Sequence, residues 1–165
     1  SENISRSTRS LKLRVVTAFV VMASAVTGFL WFLKKPVIDV ALLPLAGNGS
    51  SNSWALETDR MVTDGLVEAL TNLQSPKLGV HGPASTAVFA GSNQPQTEIG
   101  LKLRVQYVIS GGVRLSDSTL FVQAVRVSDG RHVFAWREPV HGRSASELAQ
   151  LIATGFGRKI ASERP

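Results

Sequence analysis

The sequence predicts an α/β domain. The expected architecture is a two-layer sandwich on a mixed sheet of about five strands, with helices on one face, preceded by one transmembrane helix. Three observations predict it. A long uncharged run, residues 15–33, stands near the start of the chain. A strand–helix–strand pattern follows, then a series of period-two segments joined by short polar turns. A capped amphipathic helix closes the chain. Strands that bury one face against helices form an α/β layer pair.

Residues 15–33 read VVTAFVVMASAVTGFLWFL, 19 residues without a charge. At 1.5 Å per residue they extend roughly 28 Å, close to the hydrocarbon thickness of a bilayer. Val15, Phe19 and Leu33 belong to the expected anchor, and Phe29, Trp31 and Phe32 gather at one end as interfacial aromatics do. Arg6, Arg9, Lys12 and Arg14 precede the span and Lys34 and Lys35 follow it. The positive-inside bias therefore puts the N-terminus in the cytoplasm and residues 37–163 in the periplasm, with the span in the inner membrane. Ala23-Ser24-Ala25 would suit a signal-peptide cleavage site, but the uncharged run continues eight positions beyond it, which a cleavable signal does not need. Ser24 and Gly28 form one small-xxx-small pair, a minimal element for self-association in lipid. The expected domains are a basic segment 1–14, the span 15–33 and a folded part 37–163.

The charge distribution narrows the partners. The chain carries a formal net charge of +6 and a sequence pI near 10.3. Residues 1–35 hold six Lys/Arg against Glu2, and residues 36–165 hold 12 basic and 11 acidic side chains. The basicity thus belongs to the membrane-flanking end, and the rest, near +1, has no strong field for direct nucleic-acid binding. Cysteine is absent, which removes disulfides, thiolate nucleophiles and Cys-based zinc sites.

The folded part reads as follows. Pro36 after Lys34-Lys35 stops the span. Residues 37–45 (VIDVALLPL) are aliphatic and β-branched and predict a buried strand. Residues 56–73 predict a helix, with Val62, Leu66, Ala69, Leu70 and Leu73 on one face and Glu57, Asp59, Asp64 and Glu68 off it. Glu57 and Asp59 suit the positive end of that helix's dipole, and Gly65 permits close packing. Residues 77–81 predict a short strand and 83–89 a helical turn. Between 97 and 109 two readings compete: alternating Ile99, Leu101, Leu103, Val105 and Tyr107 favour strand, whereas Thr97-Glu98 resembles a helix start. Gly111-Gly112 permits a bend or bulge before a strand at 113–115. Strands at 119–127 and 132–140 follow short turns. Ser144-Ala145-Ser146-Glu147 is a capping box, and Leu148, Ile152, Phe156 and Ile160 stripe the helix after it.

The loop 46–53 (AGNGSSNS), between strand and helix, raises the question of a phosphate site. A Walker loop needs Lys and Ser/Thr at the helix start, and no Lys or Arg occurs between Lys35 and Arg60. A nucleotide-binding or hydrolytic domain using this loop is the alternative reading, through an anion at the helix N-terminus. His81, His132 and His141 have no H-E-x-x-H spacing, and no serine lies in G-x-S-x-G. No catalytic residue, metal ligand or cofactor is expected. Trp54, Phe89 and Trp136 are the candidate surface anchors for a partner.

Five short segments in order resemble the TolB-like amino-terminal domain, a relative of the anticodon-binding fold. They are Val40-Ala41-Leu42-Leu43-Pro44-Leu45, then Thr63-Asp64-Gly65-Leu66-Val67-Glu68-Ala69-Leu70, and Leu78-Gly79-Val80. Next come Tyr107-Val108-Ile109-Ser110-Gly111-Gly112-Val113-Arg114 and Gly130-Arg131-His132-Val133-Phe134-Ala135. The resemblance covers about residues 38–161. Arg104 stands where relatives usually carry a helix-ending glycine, and Phe134 replaces a tryptophan, with Trp136 two positions on. Many proteins with this domain place it after a single transmembrane helix, behind a cytoplasmic winged-helix DNA-binding domain or a nucleotide cyclase. The resemblance therefore implies a bacterial signalling or transcription-regulator protein. The expected function is a membrane-anchored extracytoplasmic interaction or sensory domain. It is not an enzyme, and its partners are the lipid bilayer, a protein or envelope component, and in self-association a second copy.

Overall fold

The computed structural model describes residues 37–47, 52–74, 76–90 and 92–163. The expected basic segment 1–14 and span 15–33 lie outside the described residues. So do the anchor residues Val15, Phe19, Phe29, Trp31, Phe32 and Leu33 and the topology residues Arg6, Arg9, Lys12 and Arg14. Among the described residues no helix is long and apolar enough to cross a membrane.

Five strands form one mixed sheet. They are β1 (Ile38–Leu42), β2 (Leu78–His81), β3 (Tyr107–Arg114), β4 (Thr119–Arg126) and β5 (His132–Pro139), in the order β2-β1-β3-β4-β5. β1 pairs in parallel with both β2 and β3, and β3-β4-β5 is an antiparallel meander. The helices are α1 (Ser53–Thr71), α2 (Pro83–Thr86, continued by a 3-10 turn Ala87–Phe89), α3 (Gln96–Leu103) and α4 (Ala145–Ser162).

Local chemistry places the long helices. Asn52 caps α1 by accepting from the Trp54 amide at 2.9 Å. The expected capping box opens α4: Ser144 Oγ accepts from the Glu147 amide, and the Glu147 carboxylate accepts from the Ser144 amide at 2.8 Å. α1 and α4 pack on one sheet face. Their buried residues Leu66, Leu70, Leu148, Ile152 and Phe156 meet Val40 and Leu42 of β1, Ile109 of β3 and Leu120 of β4. Gly65 allows the close approach, since a Cβ there would lie 3.1 Å from the Ala149 side chain. The Phe156 ring meets Tyr107 and Phe134 edge-on, each at 5.9 Å between centroids.

Helices do not all lie on one face, contrary to the sequence expectation. Ile99 of α3 packs with Ala41, Leu43 and Val108 in a second cluster. In a strand, neighbours point to opposite faces, so this cluster sits across the sheet from Val40 and Leu42. The reason is the central place of β1: Val40, Ala41 and Leu42 are all fully buried, and a strand with parallel neighbours on both sides needs cover above and below.

Of the two competing readings of residues 97–103, the structure shows helix. The separate strand expected at 113–115 is not found: Val113 and Arg114 end an unbroken β3. α3 ends at Arg104, whose backbone is left-handed with φ 57° and ψ 41°. That is the conformation glycine adopts most readily at a helix end, so arginine here fills a glycine's backbone role.

Candidate functional site

Two of the places in the described domain where polar groups are buried or part-buried across long sequence separations bear on function. The first surrounds Asp59. It lies on α1 with Val62 and Leu66, three and seven positions on, and is only 1% exposed. The sequence expectation put it off the apolar face; the geometry puts it on that face, one and two turns ahead of those residues. Its Oδ1 accepts from the Val113 amide at 2.8 Å and its Oδ2 from the Gly47 amide at 2.9 Å. Thr63, one turn on, donates to the Asp59 carbonyl at 2.6 Å and accepts from the Leu45 amide at 3.1 Å. Burial pushes the Asp59 carboxyl above its ordinary range, opposed by the hydrogen bonds from Gly47 and Val113.

Asp59 and Thr63 thus hold the segment leaving β1 against β3. The Ala46 amide adds a bond to the Gly111 carbonyl at 2.9 Å. The segment passes so close to Gly112 that a Cβ there would run into the backbone of Ala46 and Gly47. The glycine pair therefore serves close approach of a neighbouring segment rather than a bend in β3.

This bears on the phosphate question. A phosphate loop binds anions with free backbone amides. The Gly47 amide is bonded to a carboxylate, and the Trp54 amide to the Asn52 side chain. Residues 48–51 of the loop lie outside the described residues.

The second place is a groove of about 360 Å³ on the sheet face that carries α3. Phe89, Ala90, Ser92, Gln94 and Gln96 line one side; the other side is the face of β3 and β4 at Ser110, Phe121 and Gln123. Thr86 fixes the start of the first side, since its buried hydroxyl donates to the Leu42 carbonyl at 2.7 Å. Gln96 Nε2 donates to Ser110 Oγ at 2.5 Å, and Gln123 Nε2 reaches the same oxygen at 3.4 Å. Two buried atoms have no hydrogen-bond partner among the described residues, Ser92 Oγ and Gln96 Oε1. None of the described residues lining the groove carries a titratable side chain.

The three expected anchors are not brought together. Phe89 lines the groove. Trp136 is half-buried against the helix-side core. Trp54 is 40% exposed and stacks on His141, with centroids 5.9 Å apart and ring planes at 18°. Among the described residues, no group of three or more His, Cys, Asp or Glu could hold a metal ion. Sequence reasoning missed Asp59's structural role and the whole groove. Asp59's place on the apolar stripe was a readable signal; Ser92 and Gln96 belong to no motif.

No protein-family profile matches the chain, and no curated protein matches it. Among solved structures, the chain is similar to TolB from Acinetobacter baumannii, with 12% identity over 77% of this chain and a TM-score of 0.48. It spans 29% of the length of that TolB chain. It is also similar to a PelC dodecamer chain from Paraburkholderia phytofirmans, at 13% identity, 76% of this chain, 89% of that one and a TM-score of 0.39. A third is lipoprotein GNA1162 from Neisseria meningitidis, at 14% identity, 76% of this chain, 99% of that one and a TM-score of 0.36.

Proposed function

We propose that residues 37–163 form a recognition domain of the TolB-like kind, held at the extracytoplasmic face of a membrane by the span at 15–33. It binds rather than transforms its ligand and belongs to a signalling or regulatory protein. The observation that carries this reading is the groove beside Gln96. It offers hydrogen-bonding and aromatic side chains without a titratable group, which suits binding better than acid–base or nucleophilic chemistry. The most buried carboxylate, Asp59, is bonded to two backbone amides and has a structural task.

Support for the membrane part is sequence chemistry: 19 uncharged residues, with four basic residues before them and two after. Reporter fusions at residues 8 and 60 test it. The expected result is a cytoplasmic signal at 8 and an extracytoplasmic one at 60; a cytoplasmic signal at 60 rejects the reading.

A further inference from the structure

Resting on that reading of residues 37–163 as a recognition domain, we infer that the groove beside Gln96 is a binding site for a neutral sugar.

The lining chemistry sets the class. No described lining side chain is itself charged. The flanking cations are already engaged, Lys102 donating to Gln94 at 2.8 Å and Arg114 lying over the Phe121 ring beside Asp117, so neutral polar groups dominate the lining. The polar members are amides and hydroxyls. Gln96 and Gln123 each carry two donors and an acceptor, and Ser92 and Ser110 each donate and accept. A vicinal diol presents the same pairing of donor and acceptor on adjacent oxygens. The apolar lining includes Phe89 and Phe121, one from the loop wall and one from β4. Aromatic carbon suits the C–H face of a sugar ring, which carries no hydrogen-bonding demand.

The unpaired atoms point the same way. Buried polar atoms in folded proteins nearly always have partners, and exceptions call for an explanation. Here two lie in one groove, an amide oxygen that needs a donor and a hydroxyl that accepts either role. One sugar hydroxyl can donate to Gln96 Oε1 while its neighbour pairs with Ser92 Oγ. Turning the Gln96 amide over would leave its Nε2 as the unpaired group, and a hydroxyl oxygen satisfies that equally. The acceptor side is already arranged: Gln96 Nε2 and Gln123 Nε2 both address Ser110 Oγ, which leaves the Ser110 proton available to a ligand oxygen. A volume of about 360 Å³ lies at the small end of ligand sites, so one or two sugar rings are the expected occupant.

The test is calorimetric titration of the full-length chain with maltose, with the N-acetylglucosamine disaccharide, and with neutral, end-blocked trialanine. Ser92→Ala, Gln96→Met and the control Gln150→Ala, on α4, are titrated alongside. At least one disaccharide is expected to bind saturably. Ser92→Ala and Gln96→Met should each weaken it roughly three- to tenfold, the size of one hydrogen bond, with Gln150→Ala unchanged. Should Gln96→Met not fold, Ser92→Ala alone decides between the two outcomes. Absence of binding by both sugars, or binding that neither groove substitution weakens, overturns the assignment. Trialanine binding with both sugars silent also overturns it, while leaving the recognition reading intact. Sugar that binds at the groove and is turned over supports the site and overturns the non-catalytic reading.

Discussion

Asp59 is buried and Gln96 half-buried, each with polar side-chain atoms turned away from solvent, and they pair those atoms differently. At Asp59 both carboxylate oxygens receive a backbone amide, from Gly47 and from Val113. At Gln96 the amide nitrogen reaches Ser110 Oγ while the oxygen has no partner among the described residues. The first arrangement is complete in itself and fastens three chain segments together. The second leaves Gln96 Oε1 without a partner among the described residues. Satisfied polar clusters mark architecture; a half-satisfied one in an open groove marks receptivity.

The sharpest way to break this contrast is Asp59→Ala. It strips one buried and one part-buried amide of their carboxylate acceptor and is expected to cost about 2–5 kcal/mol in chemical denaturation. A loss below about 1 kcal/mol would mean that the fastening is not structural. The carboxylate also gives a pH signature. Its folded pKa is raised by burial, so above that value ionised Asp59 is at a disadvantage in the folded chain. The folded state binds the proton more tightly, so its stability rises as pH falls towards the unfolded value. Compared with Asp59→Asn, which cannot titrate, the natural chain should gain stability as pH falls from the raised folded pKa towards the ordinary carboxylate value of the unfolded chain. An opposite slope in the difference would contradict the burial assigned to Asp59.

Smaller effects are expected on the groove side. Arg104 ends α3, the helix that carries Gln96, with φ at 57°. Arg104→Gly removes the steric cost of that conformation and should stabilise by about 1 kcal/mol in thermal or chemical unfolding. Ser92→Ala deletes a hydroxyl that finds no partner among the described residues. It should leave stability unchanged or raise it by up to about 1 kcal/mol. A clear loss would place Ser92 with Asp59, as architecture.

How much of this was legible in the sequence follows from the range of each interaction. The capping box at Ser144 and Glu147 and the polar turns of the meander are local, and they read correctly. The parallel placement of β1 is not local, yet the consecutive apolar residues Val40, Ala41, Leu42 and Leu43 hinted at burial on both faces. An alternating strand would have signalled cover on one side only. Asp59 read as a dipole-matched surface residue because acidic groups near helix starts usually are. Its partners, Gly47 and Val113, are 12 and 54 positions away. The groove depends on Ser92, Ser110 and Gln123 converging from a loop and two strands, and no spacing rule announces that.

The chain enters the described domain at Val37, directly into β1, and β1 is an inner strand with parallel partners on both sides. Tension applied through the residues before Val37 would run along that strand's axis. Hydrogen bonds to both neighbours would then be loaded together in shear, rather than peeled one at a time as at a sheet margin. Entry through an inner strand, one in from the sheet margin, would therefore oppose a pull along β1 with two ladders at once.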